Sequence, residues 1–130
     1  MPDFEVFTKR LVPLKKTPLL TIQKRGTISL NRSAFVALGE PDAVELLYDR
    51  DERVVGLRPV EAAMEHAYPV RSATAKGSGP YVISAIAFTK FYEINTDQSL
   101  RWQAHLVGDV LCIDLDSTAT PVTSNRAQRS

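Results

Sequence analysis

The sequence predicts a β-rich α+β protein made of two similar units, each containing a strand, a short helix and a two-stranded hairpin. Short segments rich in branched apolar residues alternate with polar or glycine-containing turns along the 130 residues. Each half of the chain also has one short segment with helical spacing of its apolar residues. The segments follow the same order in both halves, which indicates an internal repeat.

The first unit is predicted over residues 19–62. The segments LLTIQ and TISL predict strands, and the KRG turn between them contains Gly26, which can adopt a positive φ. Asn31 is expected to cap the helix in RSAFVALG, because its side-chain oxygen can accept from the free amides of the first turn. Gly39 is expected to end that helix. The segments AVELLYD and RVVGLRP predict a hairpin with a polar tip.

The second unit is predicted over residues 81–116. Leu30–Glu40 can be aligned with Ile83–Glu93, which pairs Phe35 with Phe88, and the hairpin alignment pairs Tyr48 with Trp102. Each half is too small to bury its own apolar face, so the two are expected to share one core about a pseudo-twofold axis.

The remaining segments have other compositions. Residues 1–18 are expected to form a basic arm or edge strand, and residues 63–80, rich in small and turn-forming residues at RSATAKGSGP, to form a linker. Residues 117–130 have almost nothing to bury and are expected to be disordered.

Composition fits a soluble domain in a reducing cytoplasm. Hydrophobic residues make up 44% of the chain, charged residues 24%, and no apolar run is long enough for a membrane span. The N-terminus lacks the pattern of a secretory signal. The single cysteine, Cys112, lies in the apolar segment DVLCIDL and is expected to be a buried thiol.

Positive charge is concentrated at the start of the chain although the net charge is only +1. Residues 1–32 contain seven basic and two acidic side chains, whereas residues 33–62 contain three basic and seven acidic ones. Such a segregation is typical of a phosphate-binding surface, and also occurs on ordinary solvated surfaces.

The stretch GTISLNRSAFVALGEPDAVELLYDRDERVVGLRP resembles the swapped-hairpin DNA-binding domains of the AbrB, SpoVT and MraZ type. The resemblance covers about residues 19–60 and, more weakly, 81–115. It implies a swapped-hairpin-like barrel that binds double-stranded DNA through a basic β-platform, in a bacterial transcriptional regulator or antitoxin-like protein. By position, the DNA-binding candidates are Lys15, Lys16, Lys24, Arg25 and Arg32. A homodimer is expected, because it would double the basic surface.

Two other functions are compatible with the sequence. Tyr48, Tyr81, Tyr92 and Trp102 could stack on bases, as in a single-stranded nucleic-acid binder of the PC4 or Whirly type. The same fold could instead serve as an oligomerisation scaffold. His66, His105 and Cys112 do not have metal-ligand spacing, and no nucleotide-binding or catalytic motif is present, so neither a cofactor nor an enzyme is expected.

Overall fold

A computed structural model describes residues 17–73 and 80–122 of the chain. These residues form two antiparallel sheets and two short helices, which confirms the β-rich α+β class. The strands are β1 Leu19–Ile22, β2 Ile28–Leu30, β3 Ala43–Asp49, β4 Val54–Val60, β5 Tyr68–Pro69, β6 Arg71–Ser72, β7 Tyr81–Ile83, β8 Leu100–Gln103, β9 His105–Val107, β10 Val110–Asp114 and β11 Thr120–Pro121. The helices are α1 Arg32–Ala37 and α2 Ile86–Phe91.

The first sheet has six strands in the order β11-β8-β1-β2-β7-β6. β1 and β2 form its central hairpin, with Leu20 opposite Leu30. β2 also pairs with β7 from the second half of the chain, with Ser29 opposite Val82. The two predicted units therefore meet through strands that occupy the same place in each.

The second sheet has five strands in the order β5-β3-β4-β10-β9. Its long β3–β4 hairpin runs from the Ala43–Val60 pair to the Asp49–Val54 pair, as the sequence predicts. β4 then pairs with β10, with Gly56 opposite Cys112. A second pair of corresponding strands thus joins the two halves.

The chain passes between the sheets at two places where only one residue separates neighbouring strands. Val70 separates β5 from β6, and its amide donates to the carbonyl of Asp42 at 2.9 Å. Ala104 separates β8 from β9, and its amide donates to the carbonyl of Pro18 at 2.9 Å. Neither sheet closes on itself within the described residues.

The space between the sheets is filled by one apolar core. Its largest fully buried side chains are branched residues from strands of both units: Leu20, Ile22, Ile28, Leu30, Leu57, Ile83, Leu111, Ile113, Val44 and Val55. Since both halves contribute, neither could exclude water from these residues alone. Residues from both halves of the chain therefore belong to one core.

Helix α1 begins as predicted at Asn31. The Oδ1 atom of Asn31 accepts from the amide of Ala34 at 2.9 Å and from the amide of Leu19 at 3.0 Å, and Nδ2 donates to the carbonyl of Thr17 at 2.9 Å. One side chain therefore caps α1 and fixes it to the start of β1. Helix α2 has Ala85 as its N-cap, which makes no side-chain capping bond.

The predicted helix equivalence differs from the structure by one residue. Both helices have six residues, capped at Asn31 and Leu38 in α1 and at Ala85 and Tyr92 in α2. Counted from the N-caps, Phe88 corresponds to buried Ala34 rather than to Phe35. An additional residue lies between β7 and α2, and it moves the apolar positions of α2 by one.

The predicted aromatic pair in the hairpins also differs from the structure. Tyr48 lies on β3 opposite Val55, in the second sheet, whereas Trp102 lies on β8 opposite Leu20, in the first. Tyr48 is only partly buried, whereas Trp102 is 4% exposed. The two residues therefore do not occupy corresponding core positions.

The flanking segments contain strands where none were expected. β5 and β6 lie in the predicted linker 63–80 and pair with β3 and β7, while residues 74–79 lie outside the described chain. β11 lies in the predicted tail 117–130 and pairs with β8, while residues 123–130 lie outside it. Of the predicted arm 1–18, only Thr17 and Pro18 are described.

Candidate nucleic-acid interface

One row of residues crosses all six strands of the first sheet. Each member is the cross-strand partner of the next, in the order Thr120, Arg101, Thr21, Ser29, Val82 and Arg71. We call this set the arginine row. The neighbouring positions Leu20, Leu30, Trp102 and Tyr81 are 0–4% exposed and point into the core. Because side chains alternate between the faces of a sheet, the arginine row lies on the outer face.

The two arginines lie on strands four positions apart. With strands about 4.8 Å apart, β8 and β6 are separated by roughly 19 Å. Between Arg101 and Arg71 the row has only Thr21, Ser29 and Val82, which are small and partly exposed. The row is therefore a surface of small side chains with an arginine near each end, on which an extended polyanion could lie.

Charge is divided between the two sheets. The strands of the first sheet contain two arginines and no acidic residue. The strands of the second sheet contain Glu45, Asp49 and Asp114 but only one cation, Arg58, which forms an ion pair with Glu45. A phosphate backbone would therefore be attracted to the first sheet and repelled by the second.

Arg101 lies in a hollow of about 450 Å³ at the edge of the row. The hollow is also lined by Ser117, Thr118 and Thr120, of which Ser117 already donates its hydroxyl proton to the carbonyl of Asp114 at 2.6 Å. Hydroxyl groups donate to phosphate oxygens, and a guanidinium can donate two parallel hydrogen bonds to the same group. This end of the row consequently has the chemistry of a phosphate contact.

Two predicted candidates, Lys24 and Arg25, lie at the tip of the β1–β2 hairpin. Both are exposed, and the amide of Lys24 donates to Ser99 Oγ at 2.8 Å. Gly26 follows with φ of +97°, and a Cβ there would lie 2.7 Å from Thr89 Oγ1. The turn is therefore held against α2 by its backbone, while its two cationic side chains face solvent.

The other predicted candidates are less directly available. Arg32 donates from Nη1 to the hydroxyl of Tyr81 at 2.7 Å, and its Nη2 atom lies 3.7 Å from Glu40 Oε1. These contacts direct Arg32 towards its own protein, although about half of its side chain stays exposed. Lys15 and Lys16 lie outside the described residues.

Sequence reasoning did not identify Arg71 and Arg101. They lie 30 positions apart in the chain, one in the predicted linker and the other beside the buried Trp102. Only strand pairing places them in one row. The alternation of Arg101 with the apolar Leu100 and Trp102 was the one signal in the sequence, since it marks Arg101 as outward-facing.

The aromatic residues proposed for base stacking do not lie on this face. Trp102 and Tyr81 are each 4% exposed and belong to the core. Tyr48 and Tyr92 contact each other, with ring centroids 4.8 Å apart, near α2 and the second sheet. The arginine row itself contains no aromatic residue.

Residues 17–73 and 80–122 offer little support for a metal site or a reactive thiol. Within them no three histidine, cysteine, aspartate or glutamate side chains come together as a metal site. Burial raises the pKa of the Cys112 thiol above its usual value, so the thiolate is disfavoured. The two helices of the described chain, at six residues each, are too short to cross a bilayer.

Comparison with known proteins gives no match to a family model, to a curated protein or to a solved structure. The resemblance to AbrB-type domains therefore stays an expectation from the sequence.

Proposed function

We propose that this chain binds double-stranded DNA through the outer face of the first sheet, the arginine row, and through Lys24 and Arg25 at the adjoining hairpin tip. The proposal is for binding without catalysis or a cofactor. In keeping with the resemblance, the role is that of a bacterial, cytoplasmic transcriptional regulator or antitoxin-like protein. A homodimer would place two such faces on one assembly.

The proposal includes a swapped-hairpin-like barrel made from two pseudo-repeated units. The strand pairing supports this barrel. Only one residue separates β5 from β6 and β8 from β9, so each pair can be counted as one bent strand. β1 pairs with β2 and β8, and the bent strand β5–β6 pairs with β7 and β3. These are corresponding partners in the two units. Counted in this way, β1, β2, β7, β5–β6, β3, β4, β10 and β8–β9 pair in sequence to form a ring, and β11 pairs in addition with β8.

The observation that carries the proposal is the acid-free outer face with an arginine towards each side. Each cation placed at a phosphate releases condensed counterions, which favours binding and makes it weaken steeply with salt. Contacts of this kind position a protein on a duplex without reading its sequence. Arg71, Arg101, Lys24 and Arg25 are the residues proposed for these contacts.

The absence of an aromatic residue from the arginine row favours duplex over single-stranded DNA. Single-strand binders combine basic grooves with aromatic side chains on which the bases stack. Here Trp102 and Tyr81 are buried and have no ring face available. A duplex offers its phosphates without any need for stacking, so it suits the polar row better.

A mobility-shift titration with matched single- and double-stranded probes tests the proposal. We expect the duplex to bind more tightly, and the double variant Arg71→Ala/Arg101→Ala to weaken binding by about tenfold or more. Arg50→Ala/Arg53→Ala is the matched control, because it removes two exposed arginines from the turn between β3 and β4, away from the first sheet. It should leave the affinity unchanged.

The rival functions predict different outcomes in the same titration. Preference for the single strand, lost in a still-folded Trp102→Ala variant, would favour base stacking. No shift of either probe at low salt would leave a scaffold as the remaining function. Equal weakening by Arg50→Ala/Arg53→Ala would show that binding depends on overall charge rather than on the first sheet.

A further inference from the structure

An exposed aromatic cluster lies beside α2, away from the arginine row. Phe91 is 69% exposed and packs edge-on against Tyr92 at 4.9 Å between ring centroids. Tyr92 in turn contacts Phe88 at 5.2 Å and Tyr48 at 4.8 Å. Phe91 is thus the exposed end of an aromatic cluster that continues through Tyr92 to the buried Phe88.

The cluster borders a groove of about 480 Å³, which we call the aromatic groove. Its apolar wall is formed by Leu46, Tyr68, Phe88, Phe91 and Tyr92, and α2 leaves Ile86 38% exposed close by in sequence. The groove can therefore receive at least one large apolar side chain, and burying the Phe91 ring would add to the affinity.

The segments that flank the aromatic groove are acidic. Arg50 lies between acids in the turn at the end of β3, and its guanidinium carbon lies 4.8 Å from the Tyr92 ring centroid and 5.9 Å from that of Phe91. His66 lines the groove from the segment that joins β4 to β5. Residues 49–52 and 61–66 carry five acids and one arginine: Asp49, Asp51, Glu52, Glu61, Glu65 and Arg50.

We propose that the aromatic groove binds a basic, amphipathic segment of a partner protein. The apolar wall would take its aliphatic or aromatic side chains, and the acidic flanks its lysines or arginines. This surface is separate from the arginine row, so peptide binding here does not require nucleic-acid binding there.

Fluorescence anisotropy of the full chain with a synthetic peptide tests this inference. The probe is a short fluorescein-labelled peptide of lysine and leucine with one central phenylalanine, compared with a version in which glutamate replaces lysine. We expect only the basic peptide to bind, and Phe91→Ser to weaken it by about tenfold or more. Val107→Ser is the control, since Val107 is 59% exposed on the edge strand β9.

A second pair of variants separates the charge requirement from any loss of folding. Glu61→Lys/Glu65→Lys reverses two exposed acids on the flank and should weaken the basic peptide, whereas Asp97→Lys/Asp109→Lys changes the net charge equally elsewhere. No binding of the basic peptide, equal binding of the acidic one, or equal effects of the two double variants would each overturn the proposal. So would sedimentation showing that Phe91→Ser converts a dimer into a monomer, because a second copy would then occupy the groove.

Discussion

At the residue scale, Asn31 joins two elements through a single side chain. Its Oδ1 accepts from α1 and from β1, and its Nδ2 donates to Thr17. Asn31→Ala removes all three bonds and leaves the amide of Ala34, a residue with no exposed surface, without its cap. We expect a loss of about 2 kcal/mol in the free energy of unfolding, measured by urea denaturation.

Asn31→Asp is the control for that prediction. Aspartate keeps the acceptor for Ala34 and Leu19 but cannot donate to the Thr17 carbonyl, so it should lose clearly less stability than alanine. If the two variants were equally unstable, the cap would not be the source of the effect.

Cys112 gives a pH-dependent prediction at the same scale. Burial raises the pKa of its thiol, so the folded protein holds this proton more tightly than the unfolded chain does. The resulting contribution to stability is complete below the ordinary thiol pKa and declines as pH rises from that value through the raised one. Comparison with Cys112→Ala isolates it, because that variant lacks the titrating group.

The measurement is urea unfolding of both proteins at a series of alkaline pH values. The free energy of unfolding of the wild type, minus that of Cys112→Ala, should fall as pH rises through the ordinary thiol range. A difference that stays constant over this range would show that Cys112 has the same pKa in the folded and unfolded states.

At the element scale, the contact between β4 and β10 depends on the absence of a side chain at Gly56. A Cβ at this position would lie 2.7 Å from Val110 Cγ1 and 3.6 Å from Leu47 Cβ. Gly56→Ala should therefore destabilise the protein by about 1–3 kcal/mol, because both β-branched Val110 and the paired backbones resist displacement.

A double-mutant cycle with Val110→Ala tests that cause. Val110→Ala removes the nearest obstructing methyl group, so the double variant should be more stable than the sum of the single effects predicts. Strict additivity in thermal or urea unfolding would mean that the predicted clash with Val110 does not limit the pairing.

The order of elements could be predicted from the sequence because its signals are local. Asn31 gives the N-cap of α1, and the two apolar runs around the polar tip give the β3–β4 hairpin, both as found. The pairs that join the units, such as Ser29 with Val82, depend on contacts between distant parts of the chain. No local pattern specifies such contacts.

The misassigned residues show the same limit. Two residues separate β7 from α2, whereas one separates β2 from α1, so Phe88 occupies the helix position of Ala34. An alignment without gaps pairs Phe88 with Phe35 and cannot detect this extra residue. β5 and β6 have only two residues each, and β5 contains Pro69. Segments this short have no alternation of apolar and polar residues from which a strand could be predicted. Arg71 was accordingly not predicted as a surface residue of a sheet.

At the scale of the whole molecule, the chain presents two faces with different chemistry. The first sheet has an outer face without acidic residues on its strands, and we propose that this face binds duplex DNA. The second sheet carries acidic residues on its strands and in its loops, and the aromatic groove lies beside it. Such a division would let a polyanion and a basic protein segment bind at once, because each is repelled from the other's surface.

The most direct test of the central proposal is the salt dependence of duplex binding for the wild type and for Arg71→Ala/Arg101→Ala. If both arginines bind phosphate, the slope of log affinity against log salt should become shallower in the double variant by about 2 for each chain bound, because each neutralised phosphate accounts for about 0.9 of the slope. An unchanged slope, or a wild type with no measurable affinity for duplex DNA at low salt, would contradict the account.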